Sequence, residues 1–269
     1  MDILEIADDN VHGSETLTIE LLNACYESFL KNENISDKIE YLKMKKYEMV
    51  QLMNILDIIK KFRHDYEFKK LIDELNKSFS LSVKNSFHIF DRRKIVTISW
   101  SKLVEEAIKE NRDKIDEINI LESRPMNEGA KFAEKLSNEG FKVKMYFDAA
   151  VYHALDEESI VLVGMDAILP NLELVNKVGT YSLAIASREK NSKFYAIGTK
   201  FKISRGYYEF INHPFNDYKN KGFSLINYYF DITHPDFIDG YIFDFGFFQR
   251  SSYRDLKIAI DAIKANIFQ

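Results

Sequence analysis

The chain has 269 residues, of which 46% are hydrophobic and 29% are charged, as in an ordinary globular protein. Its formal net charge of −5 argues against broad contact with nucleic acid, because nucleic-acid-binding proteins usually present a basic face. The single cysteine, Cys25, excludes an internal disulfide and a metal site built from several cysteines.

The N-terminal stretch MDILEIADDN is acidic and lacks the basic-then-apolar order of a signal peptide. No uninterrupted apolar run approaches the ~20 residues that a membrane helix needs. We therefore expect a cytoplasmic protein that contacts neither a membrane nor nucleic acid directly.

Residues 1–84 have the apolar spacing of helices. In ETLTIELLNACYESFL, the residues Leu17, Leu21, Cys25 and Phe29 recur on one face, which makes Cys25 a core residue. The stretches DKIEYLKMKKYEMVQLMNILDIIKKF and YEFKKLIDELNKSFSLSV continue this pattern, and their mixed charges are interpreted as solvated faces. The sequence thus predicts an N-terminal helical domain over 1–90.

From about residue 94, short β-rich runs alternate with helical patterns. Strands separated by single helices form βαβ units, hence a mostly parallel sheet with helices on both faces. This predicts an α/β, Rossmann-like domain over 91–269, with the ligand pocket and the oligomer contacts in it. The expected strands are KIVTI at 94–98, INIL at 118–121, KVKMYF at 142–147, IVLV at 160–163, FYAI at 194–197 and YIF at 241–243, and the expected helices are Ser101–Glu110, Asn127–Asn138 and Lys177–Glu189.

The loops that follow parallel strands gather at one sheet edge, where ligands of open α/β sheets bind. Ser99 and Ser101 follow the first strand, at a turn into a helix that suits phosphate. The alternative is that one of them caps this helix. Asp148, after the third strand, is open to the same alternative of a helix cap.

The loop after IVLV is the most informative. Asp166 emerges from a buried strand, where burial can raise its pKa and suit it to acid–base work. Asn176 and Lys177 are predicted to open the next helix, and Lys202 follows the next strand, so that two lysines converge on one anion. The alternative is that both lysines are ordinary surface residues.

His12, Gly13 and Ser14 open the first helical region, with Ser14 as the expected cap. A lone histidine is more often structural than functional, and the other histidines show no metal spacing. No Walker loop, G-x-G-x-x-G or G-x-S-x-G is present. We therefore assign no metal and no cofactor.

The order of these loops resembles a known family, which contains the alpha, beta and delta subunits of translation initiation factor 2B, methylthioribose-1-phosphate isomerase and ribose-1,5-bisphosphate isomerase. The resemblance runs through most of residues 94–246, with one anchor in the helical region. The matching stretches are VHGSETL, TISWS, ESRPMNEGAKFAEKLSNEGFKV, DAAV, VLVGMDAILPNLELVNKVGTYSLAIAS, FYAIGTKFKI and FDITHPDFIDGYIFDFG.

In the isomerases, a cysteine and an aspartate move the proton during aldose–ketose conversion. The aspartate matches Asp166, but the cysteine position matches Ser99, whose hydroxyl is a far weaker acid than a thiol. The stretch His12-Gly13-Ser14 stands where the isomerases usually have Arg-Gly-Ala. By the same resemblance, the ligand-binding residues are these three together with Ser101, Lys102, Asn176, Lys177 and Lys202.

The resemblance implies a non-catalytic initiation factor 2B-like subunit that binds a sugar phosphate or a nucleotide and acts in regulation or assembly. The alternative is an aldose–ketose isomerase of a phosphorylated ribose, with Asp166 as the acid–base group and Ser99 in place of the cysteine. A third hypothesis is a purely structural partner with a relic pocket. The implied protein partners are a second copy of the chain, in a homodimer or a larger homo-oligomer, translation initiation factor 2, and other factor 2B-like subunits. The stretch YIFDFGFF supplies either apolar contact area or a core strand.

Overall fold

The computed structural model describes residues 1–9, 12–91, 93–206, 208–209, 211, 213 and 222–267. Its N-terminal part is helical, as the sequence predicts. We call this the helical part; it consists of α1 Ile3–Asp8, α2 Ser14–Leu30, α3 Ser36–Lys46, α4 Val50–Ile59 and α5 Asp65–Asn85.

The core of the helical part forms where the apolar faces of these helices meet. Leu17, Leu21 and Cys25 of α2 pack with Leu52 and Ile55 of α4, and all are buried. Burial raises the pKa of the Cys25 thiol to about 12. The prediction that Cys25 is a core residue is therefore confirmed.

The remainder, called here the α/β part, has ten strands and four α-helices within the described residues. Seven strands form one sheet in the order β10-β9-β7-β4-β1-β2-β3, in which all neighbours are parallel except β10 and β9. The strands are β1 Arg93–Ile98, β2 Ile115–Leu121, β3 Val143–Tyr146, β4 Ile160–Val163, β5 Ala167–Ile168, β6 Leu174–Lys177, β7 Lys193–Ile197, β8 Phe230–Thr233, β9 Gly240–Phe243 and β10 Gly246–Gln249, and the helices are α6 Lys102–Glu110, α7 Glu128–Asn138, α8 Thr180–Glu189 and α9 Tyr253–Ile267.

Both faces of the large sheet are covered. In β4, Ile160 and Leu162 contribute to a core with α6 and α7, whereas Val161 and Val163 contribute to a core with α8 and α9. This alternation follows from the two-residue period of a strand. A mostly parallel sheet with helices on both faces is thus confirmed.

The YIFDFGFF stretch forms the hairpin of β9 and β10 at the sheet edge. Tyr241, Ile242 and Phe243 are fully buried, so β9 is a core strand. Among the described residues, no helix is both long enough and apolar enough to cross a membrane.

A second, three-stranded antiparallel sheet in the order β5-β6-β8 was not predicted. It corrects the predicted helix start at Lys177, because Asn176 and Lys177 end β6 and pair with Asp231 and Phe230 of β8. Gly179 then adopts a φ of +100°, a conformation that favours glycine, and α8 begins only at Thr180.

Candidate functional site

A cavity of about 550 Å³ lies between the helical part and the carboxyl ends of β1 and β4. All ten residues proposed from the sequence line it, although they come from five separate segments of the chain. These residues are His12, Gly13, Ser14, Ser99, Ser101, Lys102, Asp166, Asn176, Lys177 and Lys202.

The turn after β1 brings two serines to the cavity. Ser99 has a φ of +68°, its N–H donates to Ser123 Oγ at 2.7 Å, and its hydroxyl lies 3.4 Å from Glu128 Oε1. Gly164 lies so close to Ser101 that a Cβ on Gly164 would be 2.6 Å from the Ser101 Cβ. A glycine at the end of β4 therefore allows the two loops to meet at the cavity wall.

The helix caps considered for Ser14 and Asp148 are wrong. Ser101 does occupy a cap position, but without the side-chain hydrogen bond that a capping serine usually makes. Gly13, and not Ser14, occupies the N-cap position of α2. Asp148 instead accepts hydrogen bonds from the N–H groups of Ser123 and Arg124, and so fixes the loop after β2. Ser101 occupies the N-cap position of α6, but its side chain makes no capping hydrogen bond.

The two lysines that were expected to converge on an anion are both buried in the cavity wall. Lys202 Nζ lies 2.5 Å from Glu15 Oε1, and the Lys202 side chain is only 2% exposed. Lys177 Nζ lies 2.7 Å from Glu128 Oε1. The alternative of ordinary surface lysines is wrong, since both ammonium groups are withdrawn from solvent and paired with carboxylates.

The backbone N–H groups at the N-terminus of α8 were expected to bind an anion, but they bind a carboxylate of the protein itself. The Asp231 carboxylate accepts from the N–H groups of Gly179 at 2.7 Å and of Tyr181 at 3.2 Å. The Asn176 side chain donates to the Thr180 hydroxyl at 3.0 Å. The Asp231 carboxylate therefore occupies the helix end at which we predicted a bound anion.

Asp166 follows β4 and faces the cavity. Burial raises the pKa of its carboxyl to about 6, Lys202 and Lys177 oppose this rise, and Glu15 and Glu128 add to it. Within the described residues its carboxylate has no hydrogen bond or ion pair. A carboxyl that titrates near neutrality can exchange a proton with a bound ligand.

His12 and Lys46 lie where the helical part closes the cavity. His12 is half exposed, and its Nδ1 lies 2.8 Å from Asp9 Oδ2. Lys46, which was not predicted as a site residue, is only 6% exposed and donates from Nζ to the carbonyl oxygen of Asp9. Burial lowers the Lys46 pKa. Its only sequence signal was the basic run at the end of α3, which we interpreted as a solvated face.

Among the described residues, seven lysines and four carboxylates line the cavity, in a chain whose net charge is −5. Of these charged residues, Lys102, Lys177, Lys202 and Asp166 were predicted from the sequence. Seven others were not predicted, and they lie on helices or in the turn between α3 and α4, where a charged residue is usually solvated: Glu15, Lys45, Lys46, Glu48, Glu128, Lys131 and Lys135.

Comparison with known proteins identifies the family. The model of the initiation factor 2 subunit family matches residues 5–250. The chain belongs to this family. The family resemblance seen in the sequence is therefore confirmed, and its members include factor 2B subunits and sugar-phosphate isomerases.

Two relatives illustrate this range. The chain is 32% identical over 184 residues to a translation initiation factor eIF-2B subunit 2-like protein of Pyrococcus abyssi, an alignment that covers 67% of this chain and 66% of that protein. It is 28% identical over 228 residues to ribose 1,5-bisphosphate isomerase of Methanocaldococcus jannaschii, which covers 73% and 71% of the two chains. The chain thus spans slightly less than two thirds of the Pyrococcus abyssi relative.

Solved structures confirm the fold. The translation initiation factor eIF-2B of Pyrococcus horikoshii superposes with a TM-score of 0.76 at 23% identity, covering 94% of this chain and 97% of that chain. The 5-methylthioribose 1-phosphate isomerase of the same organism also gives 0.76, at 20% identity, covering 97% and 88%. At such identities, the likeness is one of fold.

Proposed function

We propose that the cavity binds a sugar phosphate or a nucleotide, and that the chain acts as a factor 2B-like regulatory or assembly subunit that does not turn this ligand over. The observation that carries the proposal is the excess of lysines over carboxylates in the wall of a deep cavity in an acidic protein. Such a local excess of positive charge, shielded from bulk water, attracts an anionic ligand.

Two polar atoms support a ligand that carries hydroxyl groups besides its phosphate. Ser101 Oγ and Glu128 Oε2 are buried in the cavity wall and have no hydrogen-bond partner in the described part of the chain. A buried acceptor without a partner costs about 1–3 kcal/mol. A ligand hydroxyl that donates to Glu128 would remove this cost, which an apolar ligand cannot do.

The residue at position 99 favours binding without turnover. A serine hydroxyl is a much weaker acid than a thiol, and the contact of Ser99 with Glu128 is long for a hydrogen bond between oxygen atoms. Cys25 cannot replace the missing thiol, because it lies in the core of the helical part. The acid–base pair that the isomerases need is therefore incomplete.

The second candidate is an isomerase of a phosphorylated ribose, and the observation that favours it is the Asp166 pKa of about 6. In this case Asp166 transfers a proton between neighbouring carbons of the sugar, and Ser99 or a water molecule takes the part of the thiol. A relic pocket is the least favoured candidate, since both buried lysines remain paired and positioned.

Self-association in the cytoplasm is a further part of the proposal. The relatives include a beta–delta complex from C. thermophilum that is described as tetrameric. In this chain, Phe147, Tyr152, Tyr181 and Ile185 are exposed around α8 and the neighbouring turn Asp148–Ala154. Such a cluster of apolar side chains fits a contact with a second copy. Other factor 2B-like subunits and translation initiation factor 2 are the further candidate partners.

The test uses Trp100, the single tryptophan of the chain, which lines the cavity. Its fluorescence is titrated with ribose 1,5-bisphosphate, methylthioribose 1-phosphate, AMP and inorganic phosphate, with unphosphorylated ribose as the control. The same sample is then assayed for aldose–ketose isomerisation. Binding without turnover is expected. Turnover would establish the isomerase instead, and no response to any phosphate, supported by an unchanged melting temperature, would refute the anion site.

A further inference from the structure

The short turn that carries Lys202 belongs to the α/β part but is held by the helical part. Asn54 of α4 is 3% exposed, and its side-chain amide donates to the carbonyl oxygens of Phe201 at 2.8 Å and Ile203 at 3.0 Å. These two carbonyls belong to the residues directly before and after Lys202. Both hydrogens of the Asn54 amide are therefore used on the backbone that flanks this lysine.

The same turn contacts the helical part through its side chains. The Phe201 ring is buried in the core of the helical part, with apolar side chains of α2 and α4. The Lys202 ammonium group reaches Glu15 of α2 at 2.5 Å. Three consecutive residues, Phe201, Lys202 and Ile203, are thus fixed by the helical part through a ring, an ion pair and two hydrogen bonds.

This arrangement determines where the Lys202 charge lies. A lysine side chain has four rotatable bonds, so its ammonium group has a defined position only if the backbone is fixed and the side chain is enclosed by its neighbours. Lys202 is almost fully buried, which encloses the side chain. The Asn54 amide holds the backbone, because it joins the carbonyls on both sides of the residue.

We infer that Asn54 is a positioning residue of the anion site: it places Lys202 so that its ammonium group can contact a phosphate bound in the cavity. The inference rests on the proposed function, since it requires Lys202 to bind the ligand. Asn54 itself is not among the cavity-lining residues, and therefore acts only through the turn. The helical part then contributes to ligand affinity through Asn54, which lies outside the cavity, as well as through the residues that line the cavity.

A double-mutant cycle tests this inference in the full chain. Asn54→Ala, Lys202→Ala and the double variant are titrated with inorganic phosphate and with ribose 5-phosphate, with Trp100 fluorescence as the signal. We expect Asn54→Ala alone to weaken binding about tenfold. On the Lys202→Ala background the same change should alter affinity less than twofold, because residues that act as one unit are not additive.

Asn85→Ala is the matched control. The Asn85 amide donates to the Phe243 carbonyl at 2.8 Å and also joins the helical part to the α/β part, but neither residue lines the cavity. This control should lower the melting temperature and leave phosphate affinity unchanged. If Asn54→Ala proves unfolded by circular dichroism, Asn54→Ser, which retains one donor, takes its place in the cycle.

The possible failures are distinct. If Lys202→Ala binds phosphate like the wild type, the proposed anion site is wrong at this lysine, and the inference falls with it. If Lys202→Ala weakens binding but Asn54→Ala does not, only the inference is overturned. An equal loss from Asn54→Ala with and without Lys202 also overturns it, because Asn54 would then act on the cavity by another route.

Discussion

The ammonium group of Lys177 and the carboxylate of Glu128 lie 2.7 Å apart in the cavity wall, and Lys202 forms the same kind of pair with Glu15. Each of these two lysines is therefore already neutralised before a ligand binds. A phosphate that contacts Lys177 or Lys202 must share the ammonium group with a carboxylate of its own sign. The carboxylates thus control anion affinity together with the lysines.

Removing the charge of Glu128 should tighten phosphate binding. Glu128→Gln retains the size of the side chain and frees Lys177, so the affinity for inorganic phosphate is expected to rise roughly three- to tenfold. Titration of Trp100 fluorescence measures it. Glu117→Gln is the matched control, because the Glu117 carboxylate is also paired with lysines, Lys142 and Lys144, but does not line the cavity. Weaker binding in Glu128→Gln would contradict the prediction.

Removing the charge of Lys177 should have the opposite effect. A hydrogen bond to a charged group contributes about 1.5–3 kcal/mol, so Lys177→Met is expected to weaken phosphate binding roughly 10- to 100-fold. Because this variant leaves Glu128 without its cation, Lys177→Met is also combined with Glu128→Gln, which restores the charge balance. Isothermal titration calorimetry measures both variants. Equal affinity in the double variant and in the Glu128→Gln single variant would show that Lys177 does not contact the phosphate.

The Asp166 pKa makes stability depend on pH in a defined direction. The folded protein holds this proton up to about pH 6, whereas an unperturbed aspartate releases it near 3.8. As the pH rises through this window, the unfolded chain releases the proton first, so the wild type loses free energy of unfolding until about pH 6 is passed. Asp166→Asn lacks this loss. The free energy of unfolding of Asp166→Asn should therefore exceed that of the wild type by about 1–3 kcal/mol at pH 7.5, a range that allows for the partial solvent exposure of Asp166.

Urea unfolding of the wild type and of Asp166→Asn between pH 4 and pH 8 checks this prediction, and the difference should shrink toward zero at pH 4. The exposed Asp116→Asn serves as the control and should follow the wild type throughout. A destabilised Asp166→Asn at pH 7.5 would mean that the ionised carboxylate is stabilised in the folded protein, contrary to the raised pKa.

The sequence predicted the sheet and the composition of the cavity for identifiable physical reasons. Buried parallel strands such as Ile160–Val163 are short apolar runs, and loops that follow such strands meet at one edge. For this reason the sequence alone predicts that Ser99, Asp166 and Lys202 lie at the same edge of the sheet. Their functional roles stay predictions until ligand binding is measured.

The partners of these residues could not be predicted. Glu15 and Glu128 lie in the first turns of α2 and α7, where acidic residues are common for local reasons, and only tertiary packing brings them to Lys202 and Lys177. The predicted helix start at Lys177 is wrong, because Lys177 belongs to β6 and the pairing of β6 with the distant β8 outweighs the local helical pattern of the sequence. The division into domains at residues 90 and 91 also stays a prediction.

Installing the missing thiol should reveal whether the rest of the site can support proton transfer. Ser99→Cys places a sulfur next to Glu128 on the wall that also carries Asp166. A thiol with a pKa near 8.5 can exchange a proton far more readily than a hydroxyl. We expect Ser99→Cys to gain measurable isomerisation of ribose 1,5-bisphosphate over a wild type that shows none, whereas the control Ser101→Cys should not. No gain, with binding intact, would mean that the pocket has diverged beyond position 99.

The exposed apolar face around α8 should determine the oligomeric state. Ile185 is 45% exposed on α8 and Tyr152 is 47% exposed on the neighbouring turn, and a monomer would leave both in water. We expect sedimentation velocity to show a dimer or larger homo-oligomer at micromolar concentration. Ile185→Asp should shift it toward monomer, because a carboxylate is costly to bury in an apolar contact.

Met44→Asp is the control for this experiment, since Met44 is even more exposed, at 74%, but lies on α3 of the helical part. It should leave the oligomeric state unchanged. If the wild type is a monomer, self-association is wrong and the apolar face is available for another subunit. If Met44→Asp dissociates the oligomer and Ile185→Asp does not, the contact lies on the helical part instead of around α8.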